Sequence, residues 1–292
     1  TGHKTTASGH AIIKASPFGD GKSAFKFSST GGLTIPDNAD FDFGSDQNWS
    51  IEFWFHALGT SREWLLAYES DHHISIEIPA GASSGLGVWV SGNGSSWNII
   101  GNEAGTSYNG GGSITVHRNS WNHFALVRNG SNWKSYVNGE INTDVTSSAN
   151  VTAYNSEDLK FGVHGSGSMS FTGYMDEIRV IRGVSVYTGT FKVPTVRFSG
   201  SGQSAGASGS NISAVTAAQT KLLIHSNIST GLPVSTNASF VDSATTGTTH
   251  VPVKGNTIHS TLYNHAENTV VTSAMAWPAS GKAFGSTGAY FD

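Results

Sequence analysis

The 292-residue sequence contains no cysteine, which leaves neither disulfides nor thiolate metal sites open to it. Charge is scarce as well: Asp, Glu, Lys and Arg make up 12% of the residues, about half the usual share of a soluble domain. The formal net charge is -4 and no run of Lys or Arg occurs, so the electrostatic footprint of a nucleic-acid binder is missing. No stretch of roughly 18 apolar residues exists, hence no candidate helical membrane span. Helical periodicity over three turns is absent too. The first residues carry no basic-then-apolar leader pattern, and the chain opens on Thr1. We therefore expect a processed product or a piece of a longer polypeptide.

In place of those features stand 36 glycines and many Ser, Thr and Asn residues. Such a mixture suits short strands joined by turns and suits helices poorly. Alternation with a period of two dominates. In "WSIEFWFHA", Ile51, Phe53, Phe55 and Ala57 share one face, and Ser50, Glu52, Trp54 and His56 share the other. "EWLLAYES", "HISIEIP", "GLGVWVSG", "DLKFGVH" and "YMDEIRVI" repeat the pattern between Gly, Asn and Ser clusters. The stretch "SWNHFALVRNGSNWKSYVNGEI" predicts strand, tight turn and strand, followed by a second turn at Asn138-Gly139. These signals predict an all-β chain, a two-sheet antiparallel β-sandwich or jelly roll.

Three segments follow from composition and self-similarity. Residues 1–198 read as the sandwich, 199–219 as a Gly/Ser/Ala-rich linker, and 220–292 as the start of a second similar unit or a strand-donating segment. "KAFGSTGAYFD" at the end echoes "PFGDGKSAFKFS" near the beginning, and "GTTHVPVKGNTIHS" echoes "GHKTTASGHAIIKAS". "TKLLIHS", which opens the second unit, has no counterpart in the first.

The motifs "SAFKFSSTGGLTIPDNADFDFGSDQNWSIEFWF", "SWNHFALVRNGSNWKSYVNGEI" and "FTGYMDEIRVIRGVSVYTGTFKVPT" together resemble the laminin-G-like, concanavalin-A-like jelly-roll superfamily. The ending of the third looks most like versions found in bacteriophage virion proteins, tail fibres and surface appendages. The resemblance implies two antiparallel sheets, glycan or protein binding through loops, and commonly a calcium ion at the rim. It also implies that the first unit lacks its opening strand. "TKLLIHS" fills that edge in cis, or fills it in a neighbouring copy, or the chain is a window on a longer repeat array; the last is the preferred reading.

Candidate site residues follow. Asp176 in "YMDEIRVI" shares strand parity with Tyr174, Ile178 and Val180, and a core-facing carboxylate needs a partner or a cation. The resemblance implies calcium there, with Asp242 in "FVDSATTG" as the matching ligand of the second unit; pairing of Asp176 with Arg179 or a turn cap is the competing reading. Trp64, Trp89, Trp97 and Trp133 are candidates for stacking on sugar rings, with Asn93 in "SGNGSSWN" as a polar contact, against core filling. Neither the histidines nor the acidic residues fall at zinc-ligand or glycosidase spacing, and adjacent pairs such as Asp176-Glu177 point to opposite faces of a strand. The expectation is a non-catalytic structural and adhesion module at a virion or extracellular surface. It binds host-surface glycan, copies of itself or other subunits, and does not insert into membranes. A carbohydrate-binding module of a secreted bacterial protein or adhesin is the alternative.

Overall fold

The computed structural model describes residues 16–20, 22–27, 31–68, 72–80, 85–101, 111–152, 157–166, 168–226 and 242–246, and the backbone of 253–254 and 258–259. Most of the echoing terminal segments, 2–15 and 260–292, lies outside these residues. Strands run in the order β1 (Phe25–Phe27), β2 (Leu33–Ile35), β3 (Asn48–Ala57), β4 (Glu63–Tyr68), β5 (Ile74–Ile78), β6 (Gly85–Val90), β7 (Gly111–Thr115), β8 (Trp121–Asn129), β9 (Asn132–Val137), β10 (Glu140–Thr146), β11 (Leu159–Phe161), β12 (Gly173–Arg182), β13 (Gly202–Gln203), β14 (Val215–Thr216), β15 (Thr220–Ile224), β16 (Val253–Lys254) and β17 (Ile258–His259). A single 3-10 turn, Ala217–Gln219, is the sole helical element among the described residues.

Two sheets result. Sheet A has the order β10-β9-β8-β3-β12-β1-β17, with β15 also on β12; sheet B has the order β16-β2-β11-β4-β5-β6-β7. All their strand pairs are antiparallel. The alternation read in β3 is kept: Ile51, Phe53, Phe55 and Ala57 enter the main core with Leu66 and Ile76 of sheet B. The two Asn-Gly signals also form turns. Gly130 has φ 61° in the β8–β9 hairpin, and Asn138 and Gly139, at φ 53° and 84°, make the two-residue β9–β10 turn that needs both angles positive.

The opposite face of sheet A is covered as well. After β12 the chain turns back at Gly183 and lies across that face as a strap. Val186, Tyr187, Phe191 and Val215 pack on Ala125, Val127, Tyr136 and Ile181 as a second apolar cluster. Tyr187 and Phe191 stack with centroids 3.6 Å apart. The composition of 199–219 predicts a linker, but the segment is laid onto the body. β13 pairs with β14, Ser213 Oγ donates to Ser185 O at 2.8 Å, and Gln203 Oε1 accepts from Arg179 at 2.8 Å. Backbone and side-chain hydrogen bonds hold it where apolar side chains are few.

The strap delivers β15 to sheet A of the same chain, where Ile178, Arg179 and Val180 pair with Ile224, Leu223 and Leu222. Leu222 and Ile224 are fully buried in the main core, each worth about 1.5–3 kcal/mol of burial.

Candidate functional site

The outer face of sheet B carries a strip of aromatic and charged side chains. Its residues alternate with core residues: Glu77 lies between Ile76 and Ile78, and Trp89 between Val88 and Val90. Register places Trp64 opposite Glu77, Glu77 opposite Gly87, and Ser75 opposite Trp89. The Arg62 guanidinium lies 4.3 Å above the Trp64 ring and donates from Nε to Glu77 Oε2 at 2.7 Å. His164 meets the Trp64 ring edge-on at 4.7 Å. At the other end Trp97 packs on Trp89 and His72, at 5.9 and 4.9 Å. Trp64 and Trp89 are 5% and 7% exposed, whereas the Arg62 side chain is 45% exposed and Trp97 is half-buried. The strip therefore meets solvent at Arg62 and Trp97.

The loop presenting Trp97 is built by its own polar groups. Ser91 Oγ accepts from Asn93 N and Gly94 N, Asn93 Oδ1 accepts from Ser95 N and Ser96 N, and Asn98 Oδ1 accepts from Gly92 N. Local turns of this kind substitute side-chain acceptors for a ladder. Gly101, at φ 109°, lets the return strand pass so close to Trp89 that a Cβ there would sit 2.4 Å from the indole. The loop is thus fixed before any ligand arrives.

Three of the four sequence-selected tryptophans, Trp64, Trp89 and Trp97, share this face. Trp133 does not. It is fully buried beside Trp49, donates from Nε1 to Ser147 O at 2.9 Å and lies under Arg128 at 4.7 Å. That corrects the expectation of a ligand contact, since no face of its ring reaches solvent. The Asn93 carboxamide is engaged in shaping its own loop, with Nδ2 also donating to Ser96 Oγ at 3.0 Å.

Asp176 sits elsewhere, at a bulge in β12. Asp176 pairs with Trp54 and Arg179 with Glu52, so Glu177 and Ile178 together oppose Phe53. Glu177 takes φ 55° there. The bulge breaks the parity read from sequence: Tyr174 and Asp176 lie on the strap side with His56 and Trp54, while Met175, Ile178 and Val180 enter the core. It also brings the Asp176 and Glu177 carboxylates, expected to diverge, onto one guanidinium. Arg197 Nη1 lies 2.7 Å from Glu177 Oε1 and 3.2 Å from Asp176 Oδ2, and its Nε is 2.6 Å from Asp20 Oδ2. Asp176 Oδ1 accepts from the backbone N–H of Glu177 and Ser226, both at 3.0 Å, and Glu177 Oε2 from Phe198 N at 2.6 Å. Burial raises the Asp176 pKa against the pull of Arg197 and these amides; burial and then the Asp176 charge raise that of Glu177.

This donor set does not fit calcium, which takes six to eight oxygens. Amide N–H groups and a guanidinium stand around the carboxylates instead. Among the described residues no group of three or more His, Cys, Asp or Glu is arranged to hold a metal ion. Asp242 lies on the far edge of β15, where its Oδ1 accepts from Leu223 N and Ala244 N, both at 3.0 Å. The structure does not bring Asp176 and Asp242 together.

Arg179, the competing partner for Asp176, binds Glu52 instead, at 2.6 and 2.9 Å. His123 Nε2 and Tyr187 Oη reach the other Glu52 oxygen at 3.1 and 2.6 Å. Burial alone would lift the Glu52 pKa, but the Arg179 charge and these partners hold it down at about 2. The network ties the strap to β3 and is closed to solvent.

A family profile described as the concanavalin A-like lectin/glucanases superfamily, of the laminin G type, matches residues 27–185. No curated protein matches the sequence. Among solved structures, a proposed carbohydrate-binding protein from Bacteroides ovatus is similar at TM-score 0.55 and 15% identity. That match covers 83% of this chain and 61% of the other, so the chain spans less than two thirds of that protein's length. Domain 4 of an extracellular arabinanase from Geobacillus stearothermophilus, in complex with arabinotriose, is similar at TM-score 0.39 and 18% identity, over 60% of this chain and 83% of that one. A CBM40 module of a Ruminococcus gnavus sialidase has TM-score 0.39 and 15% identity, over 55% of this chain and 91% of that one.

Proposed function

The chain belongs to the concanavalin A-like lectin/glucanases superfamily, and from that premise we propose that it is a non-catalytic glycan-binding module. The observation that carries the reading is the strip on sheet B. It ends in a half-buried Trp97 seated on Trp89 and His72 by a loop already closed with its own hydrogen bonds. An indole face of this kind stacks on the C–H face of a sugar ring, and a preorganised loop loses little entropy on binding. Arg62, held by Glu77 at the other end and 45% exposed, offers donors for hydroxyls. The proposal assigns no chemical step, because the adjacent acids Asp176 and Glu177 are buried on Arg197 rather than opposed across a cleft.

The setting we infer is an extracellular or virion-surface assembly, in which repeated units present the strip to host-surface glycan. The sequence echoes at the two ends of the chain support a repeated arrangement. A module of a secreted bacterial protein or adhesin would use the same strip in the same way.

A glycan array followed by calorimetry tests the reading. Trp97→Ala is expected to weaken affinity for the best array ligand about tenfold or more, roughly 1.4 kcal/mol, while the melting temperature stays near that of the parent. A variant that binds as tightly as the parent removes the strip from consideration.

A further inference from the structure

One edge of β12 is flanked by two strands laid end to end: β1 against Gly173–Met175 and β15 against Ile178–Ile181. They meet where β12 bulges. At that junction Ser23 Oγ, ahead of β1, lies 2.6 Å from Ser226 Oγ, just past β15, and both residues are buried. The ladder is interrupted there, and side chains replace its missing carbonyls: Asp176 Oδ1 accepts from Ser226 N. Three carboxylates converge on the gap: Asp20 from the entry turn, and Asp176 and Glu177 from β12. Arg197, from the strap, is the one cation among the described residues that touches all three. His225, on the chain leaving β15, lies 3.4 Å from Glu177 and stays neutral, its pKa lowered to about 4 by burial and by the Arg197 charge.

We propose that Arg197 is the built-in cation of this junction: it stands where the three carboxylates converge, and it clasps β15 to the sandwich without metal. Each element at the junction depends on it. β12 supplies two acids that would repel each other and remain desolvated without a counter-charge. The entry turn is held through Asp20. The end of β15 is held because Asp176, fixed by Arg197, receives the Ser226 amide. A strand held in this way leaves the edge of β12 paired and closed to strand addition by other chains.

Calorimetry and hydrogen exchange on the full chain test the proposal. The parent protein should melt at the same temperature in EDTA and in millimolar calcium chloride. Arg197→Met should lower the melting temperature by roughly 5–10 °C and speed amide exchange across 220–226 at least tenfold, with the β8–β9 hairpin unchanged. Glu177→Gln combined with Arg197→Met should recover part of the loss, because it leaves one buried acid fewer at the junction without its guanidinium partner. If Arg197→Met does not fold, Arg197→Lys serves in its place, with a smaller loss of protection confined to the same segment. Calcium-dependent melting of the parent overturns the proposal, and so does an Arg197 variant whose exchange at 220–226 is unaltered. Glycan binding through Trp97 is measured independently and is not touched by either outcome.

Discussion

Glu52 shows how one side chain sets the behaviour of a whole face. It is fully buried between β3 and the strap, and Arg179, His123 and Tyr187 hold it ionised, with its pKa lowered from 4.5 to about 2. A carboxyl whose folded pKa is depressed contributes stability above its unfolded pKa and loses it as pH falls through the folded one. The contribution, on the order of 3 kcal/mol, should be intact above about pH 5 and fade between about pH 4.5 and 2. Chemical denaturation across that range should show the decline, and Glu52→Gln should flatten it. The same substitution should cost about 3–5 kcal/mol at neutral pH, because Arg179 is left buried without its counter-charge. Residue-scale detail was the least legible part of the sequence. Trp97 and Trp133 look alike in a string of letters, since each sits in an Asn- and Ser-rich neighbourhood. Only tertiary packing separates the indole that caps a loop from the one that fills a core. The bulge at Glu177 depends on a single backbone angle, so parity counting carried Asp176 into the wrong layer.

Among the elements, the strands with strict alternation were readable because each turns one apolar face into the main core, as in β3, β5 and β8. The strap was not. Its apolar anchors, Val186, Tyr187, Phe191 and Val215, are spread over some thirty residues of otherwise small polar character, and no periodicity marks them. Phe191→Ala should open this layer: limited proteolysis is expected to cut within 199–219 in the variant and to spare it in the parent. β15 was visible as an unmatched strand, but the sequence left open which chain receives it. The absence of cysteine offers a direct measurement. Ser23→Cys with Ser226→Cys should oxidise to a disulfide within one chain, giving a faster-running monomer on a non-reducing gel. A ladder of linked chains would show instead that β15 pairs between copies.

At the scale of the molecule, sheet A is covered on both faces, by sheet B on one side and by the strap on the other. Burial therefore reaches groups that an ordinary sandwich leaves wet: Ser50, Glu52, His56 and His123 are all enclosed. Among the described residues no comparable strap crosses sheet B, and the aromatic strip on its outer face ends at the half-buried Trp97. Under the proposed function, fastening falls to the strap side and recognition to the strip on sheet B. This division predicts that substitutions in the strap change melting temperature and leave glycan affinity alone, while substitutions at Trp97 or Arg62 do the reverse; paired calorimetric measurements on both sets would read this out.

The adjoining ends of β15 and β1 carry a consequence for how the polypeptide can be cut. A circularly permuted gene that begins at 220, runs through 226 and a short turn into 16, and stops near 219 would preserve every pairing of β12 with its neighbours. Its new termini would fall in the 3-10 turn at the end of the strap, and the point of entry into the fold would move while β1 to β15 keep their places.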